Sequence, residues 1–229
     1  MTSKSLHAWL IHKQWSGDTS ARAYFFTAEL GLVHCLYKGG RTPKKQALLQ
    51  PFIPLWVHFA ERYEHYYAQS LENHAATLPL KGTSLFSALY LNELIYYALK
   101  PLAPETELFQ AYEFALHHLT QAEHQMTIEV LLRRFEWSLL RACGHSFSLM
   151  HEAHTGQLVN PNSYYQFVAG LGMVLAQKGI PGEHILALAA DDLTQIDYLK
   201  SAKIIMRQAI NHLLGGREIK ARSLYVGYT

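Results

Sequence analysis

Residues 30–60 read LGLVHCLYKGGRTPKKQALLQPFIPLWVHFA. Two apolar runs, Leu32–Tyr37 and Phe52–Phe59, flank a segment with an unusual charge pattern. No Asp or Glu occurs from Leu30 to Ala60, yet Lys38, Arg41, Lys44 and Lys45 fall within eight residues. Gly39, Gly40 and Pro43 supply turn chemistry, so the stretch reads as strand, mobile basic loop, strand. In the first run Val33, Cys35 and Tyr37 alternate with Leu32, His34 and Leu36, the period of a two-faced strand. Pro51 and Pro54 mark an edge entry into the second.

Working outward, Leu6–His12, Ala21–Thr27 and Glu64–Leu71 are further short runs of β-branched, aromatic and aliphatic residues separated by turn residues. Five strands at this spacing predict a small barrel over residues 1–80. After Leu80 the periodicity becomes helical. Leu85, Ala88, Leu89, Asn92, Tyr96 and Leu99 share one face of a helix that Pro101 and Pro104 end. Helices follow over Glu105–Thr120, Thr127–Ala142, which stops at Gly144, and Thr194–Leu214, which stops at Gly215 and Gly216. The expected fold is therefore α+β, with a five-stranded barrel followed by a mainly α-helical domain over residues 81–229.

At 229 residues and 49% hydrophobic, the chain can bury one large or two small cores. The formal charge of +2 hides segregation: residues 1–100, 101–199 and 200–229 carry +4, −7 and +5. Basic ends attract anionic partners that the acidic middle repels, and the two ends are expected to share one face. Cys35 and Cys143 are 108 positions apart and in no CxxC pattern, which argues for a reducing compartment, the cytoplasm by default. The chain shows no secretory leader and no span, so no membrane is expected.

There is no Gly-rich phosphate loop, no dinucleotide fingerprint and no nucleophile elbow, so no catalytic residue is assigned and the chain is expected not to be an enzyme. Binding chemistry remains. Lys38, Arg41, Lys44 and Lys45, with no acid nearby, would displace counterions from a phosphate backbone; a solvated turn is the plainer reading. Lys200, Lys203 and Arg207 line one helical stripe, and Arg217, Lys220 and Arg222 follow the Gly pair. Helix C-terminal cation placement explains one or two of these. Trp9, Trp15, Tyr24, Phe25, Phe26, Tyr37, Trp56, Tyr63, Tyr66 and Tyr67 are mostly core, leaving one or two that could stack on a base.

Arg133 and Arg134 are adjacent on an otherwise apolar helix and cannot point the same way. Glu129 stands four residues before Arg133, the spacing of an ion pair; the alternative is an Arg beside an apolar groove that grips a peptide carboxylate. His151 and His154, with His145 nearby, fall short of the four ligands zinc wants, so no metal and no cofactor is assigned.

Taken together the chain resembles the bacterial RecO family of recombination mediators, nearly end to end. The resemblance is carried by Asp18, Thr19, Ser20, Phe26, Thr27, Gly31, Lys38, Gly39, Arg41, Leu49–Phe52, Pro54 and Leu55; by Leu78–Leu80, Tyr90–Leu94, Leu108 and Phe109; by Leu132–Glu136, Leu139, Leu140 and Gly144; and by Ala202, Lys203, Leu214–Gly216, Lys220, Ser223 and Leu224. It implies an oligonucleotide-binding (OB) barrel, a helical domain, and binding of single- and double-stranded DNA without nucleotide hydrolysis. It further implies strand annealing, loading of RecA with RecR, capture of the C-terminal tail of single-stranded DNA-binding protein through Arg133, and a cytoplasmic, nucleoid-associated monomer active in DNA repair and recombination. Many members hold a zinc finger with two Cys pairs after the position of Gly144. Here His151 and His154 stand near the first pair and the second is absent, so residues 144–180 are expected to be a degenerate form of it. A peptide-binding adaptor that uses the basic loop for acidic proteins, without DNA, is the alternative function; a His-rich metal hydrolase is a distant third.

Overall fold

A computed structural model describes residues 2–225. Five strands close into a barrel: β1 (Thr2–Ser16), β2 (Ser20–Thr27), β3 (Gly31–Tyr37), β4 (Pro54–Arg62) and β5 (His65–Asn73). Neighbours run β1-β2-β3-β5-β4 and back to β1, antiparallel except for β3 with β5. β1 closes the barrel because it is long enough to serve two partners, β4 along its first half and β2 along its second. The predicted alternation in β3 holds: Val33, Cys35 and Tyr37 enter the core with Phe25, Leu55, Val57 and Phe59. Each large side chain buried there contributes about 1.5–3 kcal/mol. This is the OB-type barrel expected from the sequence, followed by helices.

A β-bulge interrupts the β1–β2 register between Leu10 and His12, bending the strand and freeing carbonyls. Those of Leu10 and Ile11 accept from the Asn92 amide at 3.4 Å each. Asn92 lies on α2 (Gly82–Ala98), and its Oδ1 accepts from the Tyr112 hydroxyl on α3 (Thr106–Leu119) at 2.5 Å. The neighbouring Glu93 carboxylate caps the backbone N–H groups of Lys220 and Ala221, at the start of a 3-10 segment, Lys220–Tyr225. Asn92 and Glu93 thus point 100° apart to two different partners. The single apolar face predicted for α2 is corrected accordingly. Ser84, Ser87, Tyr90, Leu91, Leu94 and Ile95 are buried, while Leu85, Leu89 and Tyr96 are only half-buried, because the helix is covered on more than one side.

Gly31, at the start of β3, shows why one turn needs glycine. Its φ is +67°, and a Cβ there would lie 2.0 Å from the Ala103 carbonyl oxygen. The close approach is fixed by the Leu102 N–H, which donates to the Leu32 carbonyl at 3.0 Å.

The chain forms two compact units. The first runs to Gln121 and includes residues 219–225; the second is Ala122–Glu218. Residue 80 is where strands give way to helices, but α2 and α3 belong to the barrel's unit. The second unit holds α4 (Gln125–Ala142), a three-stranded sheet of β6 (Tyr164–Val168), β7 (Gly172–Ala176) and β8 (Ile180–Pro181), then α5 (Gly182–Ala189) and α6 (Ile196–Leu213). The last helix stops where predicted, with Gly215 and Gly216 at φ +61° and +76°. No helix among the described residues is long and apolar enough to cross a membrane.

Candidate nucleic-acid interface

The expected mobile loop after β3 is instead a folded and pinned segment. Gly40 N–H donates to the Tyr37 carbonyl and Thr42 N–H to Gly39, a pair of successive turns. Pro43 then opens a short helix, α1 (Pro43–Leu48), where its fixed φ suits the first turn. Leu49 plugs the barrel core and is fully buried. Hydrogen bonds from both sides tie the segment to the β1–β2 hairpin. Arg41 N–H donates to Thr19 O at 3.0 Å, the Arg41 guanidinium donates to Gly17 O at 2.8 Å, and Lys13 Nζ donates to Leu49 O.

This geometry sorts the four cations. Arg41 is spent partly on the hairpin, and Lys45 donates to the Lys38 carbonyl at 2.8 Å while lying 4.7 Å from the Tyr37 ring centre. Lys38 and Lys44 are exposed, and their ammonium groups make no hydrogen bond or ion pair among the described residues. Lys38 only approaches the Tyr67 ring, at 5.9 Å. A rigid platform thus presents two cations to solvent with two more behind them, and no carboxylate of its own competes for them. Asp18 is the one acid in the adjoining hairpin turn.

Trp15 adjoins the platform, with Lys13 Nζ 5.4 Å and the Arg41 guanidinium carbon 5.3 Å from its ring centre. The sequence reading singled out Trp15 only as one of many aromatics and passed over Lys13. Their i, i+2 spacing on β1, which puts both on one face, was the available signal. On the outer barrel surface His34 stacks on Tyr24, with ring centres 4.4 Å apart and planes 3° from parallel. Burial lowers the His34 pKa, helped by Arg22, and raises that of Tyr24. Most of the other aromatics singled out are core or half-buried; Tyr63 and Trp56 are exposed.

The second basic cluster divides between the units. Lys200, Lys203 and Arg207 do form one exposed stripe on α6, but Lys200 pairs with Asp197 at 2.9 Å and Lys203 with Glu129 at 2.8 Å. Arg217 is exposed near the end of the same unit. Lys220 and Arg222 belong to the barrel's unit, where Arg222 lies 5.7 Å from the Tyr90 ring centre.

Arg133 lies on α4 with 6% exposure, its Nη2 donating to Glu136 Oε1 at 2.7 Å and its Nε 2.6 Å from Oε2. The Glu129 pairing considered from the sequence is replaced: Glu129 turns to Lys203. The reason is burial, since a sunken guanidinium must take a carboxylate that is sunken with it, and Glu136 is 1% exposed. A peptide carboxylate brought to Arg133 would have to compete with Glu136. Arg134 faces outward and pairs with Asp191 at 3.0 Å.

His151 Nδ1 lies 3.2 Å from Ser148 Oγ, and His154 contributes its backbone N–H to Glu152. Among the described residues no three His, Cys, Asp or Glu converge as a metal group. Glu152 organises this turn: the Thr155 hydroxyl and N–H, then the His154 N–H, hold its carboxyl down at about 2. Burial pushes the Cys35 thiol up to about 12.

A family model described as "Recombination protein O C terminal" matches residues 80–211. A "DNA repair protein RecO" of Legionella pneumophila subsp. pneumophila (strain Philadelphia 1) is 66% identical over 226 residues, covering 98% of this chain and 99% of that protein. Proteins of the same description from Pseudoalteromonas atlantica and Klebsiella pneumoniae are 35% and 34% identical, over 98% and 95% of this chain and 95% and 91% of theirs.

Proposed function

The chain belongs to the RecO family of DNA repair proteins, and from that premise we propose that it binds DNA and anneals complementary strands without nucleotide hydrolysis. In this reading it acts as a recombination mediator. With RecR it helps RecA onto single strands coated by single-stranded DNA-binding protein, whose acidic C-terminal tail it captures through its helical part. The observation that supports this best is the pinned basic platform on the OB-type barrel, where Lys38 and Lys44 project from a segment without acids.

The mechanism is electrostatic. Two strands repel through their phosphates; cations held on a rigid surface neutralise part of that charge and release condensed counterions. Arg41 and Lys45 hold the platform's shape as well as adding charge, and Arg207, Arg217, Lys220 and Arg222 extend the positive surface of their own units, while Lys203 must exchange Glu129 for a phosphate to join them. Rigidity matters because a backbone segment already ordered loses less entropy on binding.

Annealing of complementary oligonucleotides precoated with single-stranded DNA-binding protein tests the reading. Acceleration without ATP is the expected result. Tail-peptide binding with no affinity for any oligonucleotide overturns it in favour of an adaptor.

A further inference from the structure

Trp15 stands out among the barrel's large aromatics. It is 43% exposed, whereas Trp9 is 1% exposed. Trp56 is comparably exposed but has the His7 and His74 rings packed on it. No aromatic ring packs on Trp15 among the described residues. Its neighbours are instead two cations whose positions are set by backbone carbonyls: Lys13 on Leu49 O and Arg41 on Gly17 O. An indole so placed is held in one orientation by cation–π attraction while nearly half its surface stays in water. Hydrophobic burial explains neither feature.

Resting on the DNA-binding reading above, we propose that Trp15 is a stacking platform for one unpaired base of a single strand, with the flanking phosphates meeting Lys38, Lys44 and the Arg41 guanidinium. Each part has its own job. The indole supplies a flat apolar face that any base can use. The cations supply attraction for the backbone, and the pinned segment holds the two in register. A duplex has its bases stacked internally and offers the indole nothing, so Trp15 discriminates single strands from duplex while the lysines attract both.

The test measures binding of a labelled oligothymidylate and of a labelled duplex by anisotropy across a salt series. The proteins are the full-length chain and its W15A, W15F and K38A/K44A variants. W15A is expected to weaken single-strand binding by roughly 5- to 150-fold, the range for losing one base–aromatic stack, with the salt slope and the duplex affinity unchanged. W15F is expected to retain most of the affinity. Wild-type tryptophan emission is quenched on saturation with oligothymidylate, and W15F loses that quench. This fluorescence measurement decides the matter even if W15A folds poorly. W15A binding single strands as well as wild type, or a quench that persists in W15F, overturns the stacking role while K38A/K44A still weakens binding. A wild-type protein that binds no oligonucleotide overturns the DNA-binding reading itself.

Discussion

The Tyr112 hydroxyl reaches Asn92 Oδ1 at 2.5 Å in a fully buried setting, and Asn92 passes the connection to the bulged carbonyls of β1. One amide thus ties barrel, α2 and α3 together. In Y112F the Asn92 oxygen loses its donor, and a buried acceptor so orphaned costs about 1–3 kcal/mol. Urea unfolding of Y112F is expected to show that loss.

The Arg133–Glu136 pair predicts a non-additive pattern. E136A removes the buried carboxylate that Arg133 pairs with and is expected to cost about 3–5 kcal/mol, whereas the apolar double variant R133M/E136L costs much less. Equal losses in chemical denaturation would mean that the pair is not a unit.

The platform's cations separate by role. K38A/K44A is expected to leave the melting temperature unchanged and to lower the slope of log affinity against log salt for single strands by about 1.4, at about 0.7 for each phosphate contact. R41A, which also frees the Gly17 carbonyl, is expected to lower both the slope and the melting temperature.

Glu152 sets an acid limit for its turn. Its folded-state pKa of about 2 lies below the ordinary carboxylate value, so its stabilising effect is complete above about pH 4.3 and is lost as pH falls towards 2. Thermal unfolding of wild type and E152Q between these values should show the stability gap closing with acidification.

Cys35 faces the barrel core, with its thiol pushed up to about 12. The thiolate is the reactive form, so native protein treated with iodoacetamide near neutral pH is expected to be alkylated at the half-buried Cys143 first. Peptide mapping distinguishes the two sites.

Much of the architecture was legible residue by residue. The alternation of Val33, Cys35 and Tyr37 placed β3, and the Gly215–Gly216 pair ended α6. β6 to β8 and α5 were not read: β6 alternates in burial, but its outward positions include Tyr164 and Val168, and β7 exposes Leu175, so these strands of five residues or fewer show no alternation of polarity that marks a half-buried sheet. α2 misled for the opposite reason: buried on several sides, it carries apolar residues around its circumference, and no single stripe identifies its partners.

For the candidate interface, the sequence by itself determined where the cations cluster, that no acid accompanies them between Leu30 and Ala60, and that they interrupt a run of strands. These are local properties of composition and period. Tertiary structure decided which cations are committed. Arg41 meets Gly17 across 24 positions, Lys203 meets Glu129 across 74, and Glu93 caps Lys220 across 127. Such partners are selected by which buried or half-buried groups fall within hydrogen-bond reach once the backbone has closed. Spacing along the chain carries no record of that distance.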